Sequence, residues 1–128
     1  LKGGPERELA ERYRERAEGL GRSLGIAPID ITEIPESRGR RESDRRVEEG
    51  AHVLQRLGSG VLVAFDERGR SLSSEAFAHR IVGWRDEGRP ALHCAIGGPD
   101  GLDPSVRSRA DLVLSFGALT LPHQLVRV

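Results

Sequence analysis

Cysteine is almost absent from this sequence, with Cys94 alone among 128 residues. One thiol excludes an intramolecular disulfide and suits a reducing cytosol. Long apolar runs are missing as well. Nothing approaches the roughly 20 residues of a membrane-spanning helix, so the expectation is a cytoplasmic protein without a membrane partner. No secretory signal is visible, but Leu1 is not an initiator methionine, and a preceding segment is expected. Net charge is the third absence. Twenty Lys and Arg offset twenty Asp and Glu, whereas a free-standing nucleic-acid binder is usually strongly basic. Local charge still matters: Arg38, Arg40, Arg41, Arg45 and Arg46 crowd into one stretch, read first as a solvated loop and helix start.

Common catalytic patterns are missing too. There is no GxxxxGK(S/T) for cradling phosphate and no GxGxxG after a strand. Ser115 lies in LSFG, which is not the GxSxG elbow of a serine nucleophile. His52, His79, His93 and His123 show no zinc spacing with Cys94, so no metal is expected. His93 and Cys94 are neighbours in a predicted strand and point to opposite faces, which argues against a nucleophilic pair. Cys94 reads as a small core residue.

What is present is an alternation of helix and strand. Pro5 to Leu24 is predicted as a helix, with Leu9, Tyr13, Ala17, Leu20 and Leu24 on one apolar stripe and Gly25 as its stop. Ile29, Ile31 and Ile34 form a short β-rich stretch, and Pro35 to Arg41 a polar loop. A second helix is predicted from about Ser43 to Leu57, with Val47, Ala51, Leu54 and Leu57 buried. Val61 to Phe65 is a continuous apolar run, as a buried parallel strand requires. Asp66 to Arg70 reads as a turn. Ser73 or Ser74 caps a third helix with Phe77, Ile81 and Trp84 on one face. Ala91 to Ile96 is the next strand. Asp103 caps a short helix that starts at Pro104, and Leu112 to Phe116 is the last strand. This order predicts one α/β domain with a mainly parallel sheet and flanking helices.

In such sheets ligands bind beyond the carboxyl ends of the strands. Three ends qualify: Phe65-Asp66, Ile96-Gly97-Gly98 and Phe116-Gly117. Glycine at two of them permits a sharp turn or a close ligand approach, though ordinary turns would look alike. Pro122 would start a helix with His123 and Arg127 one turn apart on one face. That pair suits either a polar or anionic ligand or a plain surface helix start.

At these residues the sequence resembles a known family. IGGPDGLDPSVRSRADLVLSFGALTLPHQLVRV, from Ile96 to Val128, is similar to the signature half of the ribosomal RNA large-subunit methyltransferase H family. LVAFDERGRSLSSEAFA, from Leu62 to Ala78, is similar to that family's central strand and turn. The first helix and the PESRGRR loop also fit, so the resemblance covers nearly the whole chain. GGPDGL together with SFGALTLPHQLVR at this spacing is its specific part.

The resemblance implies the SPOUT class of α/β methyltransferases, with a deep trefoil knot completed by a helix beyond Val128, one of the few exceptions to unthreaded chains. It implies S-adenosyl-L-methionine as cofactor, held by Phe65 (usually leucine in the family), Gly97, Phe116, Gly117, Ala118, Leu119, Thr120 and Leu121. Glycines and small apolar residues there would supply backbone hydrogen bonds and apolar walls. It implies methylation of N3 of a pseudouridine in 23S ribosomal RNA, within the assembled ribosome, by a homodimer whose partner subunit completes each site. His123 and Arg127 match family positions and are expected near the substrate. No catalytic residue is assigned, because the family's Tyr-His tail is not in this sequence. Nor is its opening strand, MRLxxxAVG, so a single domain truncated at both ends is expected over residues 1–128. Two other readings stand beside this one: a non-catalytic fragment that binds cofactor or RNA, and a SPOUT enzyme acting on transfer RNA.

Overall fold

The computed structural model describes residues 4–34, 38–97 and 101–116. Gly117, Ala118, Leu119, Thr120, Leu121, His123 and Arg127 lie outside the described residues. Those described belong to two compact units, residues 4–33 and residues 34–116.

The first unit is helix α1 (Pro5–Gly21), continued by a 3-10 turn at Arg22–Leu24. Together they cover the predicted helix. Pro5 opens it, Glu6 and Glu8 sit in the electropositive first turn, and Gly25 ends it with φ +75°. The face used for packing is not the apolar stripe. Leu9, Tyr13, Leu20 and Leu24 are exposed, and Ala10 and Gly21 are buried instead. The cause is a polar row at four- and three-residue steps. Arg14 pairs with Glu18 at 3.0 Å. The Glu18 carboxylate accepts the Ile29 N–H at 3.0 Å, and Arg14 donates to the Ile29 carbonyl at 3.0 Å. At Gly21 the returning chain passes so close that a Cβ would collide with the Ile26 carbonyl. Ile29 and Ile31 are therefore clamped as irregular chain, not paired as the β-rich stretch suggested.

The second unit holds α2 (Glu42–Leu57), β1 (Val61–Ser71), α3 (Ser74–Asp86), β2 (Leu92–Ile96), α4 (Pro104–Arg109) and β3 (Leu112–Ser115). The three strands form one sheet in the order β2-β1-β3, with both pairings parallel. Val61, Leu62, Val63 and Ala64 of the central strand are wholly buried, as its unbroken apolar run required. Alternate residues feed two cores. Leu62 and Ala64 join Leu57, Ala95 and Val106 under α2 and α4. Val63 joins Leu112 and Leu114, with Phe77 and Trp84 of α3 packed against them. Ser73 caps α3 through the Ala76 N–H at 3.0 Å, and Asp103 caps α4 through the Ser105 N–H at 3.0 Å.

Four expectations need correction. The buried face of α2 is Gly50, Val53, Leu54 and Leu57, while Val47 and Ala51 are exposed. Gly50 turns the helix this way, because a Cβ there would lie 3.1 Å from the Val106 side chain on α4. The predicted turn from Asp66 to Arg70 belongs to β1. Phe65 and Arg70 both lie opposite Leu114, so residues 66–69 bulge out and the strand resumes pairing at Arg70. The last strand stops at Ser115, one residue short of Phe116. Finally, Cys94 is exposed and not core. The strand around its sulfur nevertheless excludes enough water to push the thiol up to about 11. It stays protonated at neutral pH.

Candidate functional site

The chain leaves β1 toward α3, on the Val63 face of the sheet. It leaves β2 toward α4, on the Leu62 face. Two neighbouring strands that send their connections to opposite faces open a crevice between their carboxyl ends. This is where the fold places a ligand site, and the described site residues gather there. Phe65 lies directly opposite Ile96, so Gly97 is the next residue on the adjacent strand. Phe65 also lies opposite Leu114, two residues before Phe116. The rings of Phe65 and Phe116 stack with centroids 5.3 Å apart and planes 9° from parallel. Phe116 is 60% exposed, so one side of this aromatic wall is open.

Gly97 forms the opposite kind of wall, made of backbone. A Cβ there would fall 2.7 Å from the Gly101 carbonyl carbon and 3.0 Å from its Cα. Gly101 in turn has φ +80°, a conformation that favours glycine. The two glycines let the ends of the loop meet backbone to backbone. The structure thus brings Phe65, Gly97 and Phe116 together. The other proposed cofactor positions, Gly117 to Leu121, and the substrate positions His123 and Arg127 lie outside the described residues.

Three residues shape the crevice that motif reading missed. Asp66 follows Phe65, and its side chain is only 9% exposed, between Arg68 at 3.4 Å and Arg107 at 3.6 Å. Its charge is spent on two guanidinium groups. The strand alternation of Leu62 and Ala64 already placed residue 66 on the α4 face, and that signal could have been used. Ser115 is buried, and its hydroxyl donates to the Glu67 carbonyl at 3.2 Å. That bond ties the β1 bulge across the end of β3, so the hydroxyl is structural. Gly101 had no local signal beyond lying in a glycine-rich loop, because its role depends on loop closure.

Asp103 opens α4 just past the same loop. Its carboxyl is held below the usual carboxylate range by the Ser105 hydroxyl first, then by the Ser105 N–H and nearby arginines. It caps the helix and stays ionised. Among the described residues no group of three or more His, Cys, Asp or Glu side chains is placed to hold a metal ion. Nor is any helix long and apolar enough to cross a membrane.

The lining can be tested against the cofactor expected from the resemblance. S-adenosylmethionine has a flat aromatic base and a sulfonium charge. Two stacked aromatic rings with an open face, and a glycine wall with no side chain to intrude, suit the base. Asp66, already paired twice, leaves no free carboxylate to neutralise the sulfonium. These residues fit the cofactor.

Comparison with known proteins points the same way. The model of a family described as "Predicted SPOUT methyltransferase" matches residues 1–128. A ribosomal RNA large subunit methyltransferase H of Methylobacterium radiotolerans is 65% identical over 130 residues, covering all of this chain and 79% of the relative. The protein of that name from Methylorubrum populi is 59% identical, again covering all of this chain and 79% of the relative. The one from Brucella anthropi is 51% identical over 129 residues, covering all of this chain and 81% of the relative.

Proposed function

Because the chain belongs to the SPOUT methyltransferases, in the ribosomal RNA large-subunit methyltransferase H family, we propose that its methyl donor is S-adenosyl-L-methionine and its acceptor N3 of a pseudouridine in 23S ribosomal RNA. The protein is a ribosomal RNA methyltransferase. The observation that best supports the finer reading is the crevice at the switch between β1 and β2, walled by Phe65, Phe116 and Gly97.

When bound, the donor supplies an electrophilic methyl group on a cationic sulfur. Phe65 and Phe116 would hold its adenine and exclude water from one side. Gly97 would let backbone come up against the ligand. The run Gly117, Ala118, Leu119, Thr120 and Leu121 would complete the pocket, with His123 and Arg127 toward the RNA. Arg68 and Arg107 keep the Asp66 carboxylate occupied, so the methyl group stays reactive. Rate would come mainly from alignment of sulfur, carbon and nitrogen. The acceptor nitrogen loses its proton to a base or to water as the new bond forms.

The reading includes a homodimer as the active unit, one domain per chain, and the assembled large subunit in the cytosol as the place of reaction. Ribosomal shape then supplies specificity that a net charge of zero does not. Calorimetric titration with S-adenosylhomocysteine tests the cofactor, and absence of a binding isotherm sinks that part. Incubation of labelled donor with ribosomes and with bulk transfer RNA tests the acceptor. The expected label maps by mass spectrometry to a pseudouridine of 23S RNA, and labelled transfer RNA would overturn it.

A further inference from the structure

On the α3 side of the β1 bulge lies an open groove of about 300 Å³, lined by Arg68, Gly69 and Arg70 of β1, Arg80 of α3, and Asp111 and Val113 beside them. Three guanidinium groups on one short surface are unexpected in a chain whose charges cancel. Their surroundings do not neutralise them. Arg70 and Arg80 are exposed and make no ion pair. Arg68 shares its one partner, Asp66, with Arg107. Asp111 is the single carboxylate of the lining, and it is already committed. It accepts the Leu62 N–H at 2.9 Å and lies 3.6 Å from Arg109 and 3.7 Å from Arg89. The groove therefore presents excess positive charge.

Its backbone is also shaped for close approach. A Cβ at Gly69 would lie 2.6 Å from the Val113 carbonyl oxygen, so glycine lets the bulge lie flat on β3, with Arg70 immediately after it. Arginine matches phosphate geometry through its planar fork of donors. An open groove with two unpaired guanidiniums suits a phosphate carried on a polymer, which needs no enclosing pocket.

We infer that this groove receives a phosphodiester of the RNA substrate, held by Arg70 and Arg80 with Arg68 beside them. The inference rests on the ribosomal RNA reading given above and assigns these residues to positioning the RNA, not to methyl transfer. Phosphate contacts of this kind fix register and orientation and give no sequence information.

The test compares Arg70→Gln/Arg80→Gln with Arg12→Gln/Arg40→Gln, which removes the same charge from exposed positions elsewhere. Affinity for a fluorescent fragment of large-subunit RNA is measured by anisotropy across a salt series. The groove variant is expected to lose roughly tenfold in affinity at low salt, and its salt slope to fall by about two, one for each lost phosphate contact. Arg70→Lys/Arg80→Lys should recover much of the affinity, because charge remains. Unchanged RNA affinity in the groove variant overturns the inference. So does an equal loss in the control variant, which would make the effect one of overall charge. Loss of inorganic phosphate binding with RNA affinity intact would make the groove a small-anion site and also overturn it. S-adenosylhomocysteine titration of each variant is expected to match the parent. Failure of donor binding by the parent itself would count against the enzymatic reading and leaves the RNA comparison independent.

Discussion

The crevice depends on single atoms at Gly97. Gly97→Ala places a methyl group 2.7 Å from a backbone carbon that has no side chain to swing away. The loop must open, and the variant is expected to bind S-adenosylhomocysteine at least tenfold more weakly by calorimetry. Its thermal midpoint should change little, because the buried strands do not touch residue 97. Unchanged affinity would remove Gly97 from the site. Glu18 offers a pH test in the first unit. Its carboxyl is held below the usual range, first by the Ile29 N–H and then by Arg14 and Arg22. A lowered value means that the folded state favours the charged form. The stabilisation is therefore complete above the ordinary glutamate range and fades as pH falls through the lowered value. Glu18→Gln should melt earlier than the parent near neutral pH, and the gap should close on acidification. A gap independent of pH would show that the carboxylate does not hold this clamp. The sequence disclosed the glycines at the strand ends, because turns need them. It did not disclose the clamp, since an Arg and a Glu four residues apart look like any surface pair.

Among the elements, β1 links the crevice to the arginine groove. Its core half was legible from five consecutive apolar residues. Its second half was not, because Asp66 to Arg70 has turn composition and becomes strand only through pairing with β3. Gly69 and Ser115 hold that pairing. Gly69→Ala would push a methyl group against the Val113 carbonyl and should dislodge the bulge, with loss of RNA affinity beyond that of the arginine pair. Ser115→Ala removes one hydrogen bond, worth about 1 kcal/mol, and should lower stability in urea by about that amount without abolishing the fold. Equal behaviour of the two variants would contradict the close contact at Gly69. Helix α2 shows the same limit of sequence reading. Its apolar residues predicted a face centred on Val47 and Ala51, but burial follows Gly50, where α4 comes closest. A glycine is invisible to a hydrophobic pattern, though it permits the closest packing.

At the scale of the whole molecule, the α/β class was legible because alternation of element types needs only a period change from 3.6 to 2. Strand order was not, because nothing local says that β3 will return to the far side of β1. The central strand then carries both cores. Leu62→Ala empties a wholly buried site and should cost about 2–5 kcal/mol in urea denaturation, whereas Val47→Ala on an exposed face should fall within about 0.5 kcal/mol. A small loss at Leu62 would mean that the two cores do not share this strand. The order β2-β1-β3 has a further consequence during synthesis. One edge of β1 finds its partner soon after, in β2, but the other stays open until residues 112–115 have left the exit tunnel. The aromatic wall of the crevice waits for the same residues, since Phe116 comes directly after them. A nascent chain paused anywhere earlier holds two paired strands and no donor pocket, so a protein that modifies ribosomes gains its methyl-binding site only near the end of its own translation.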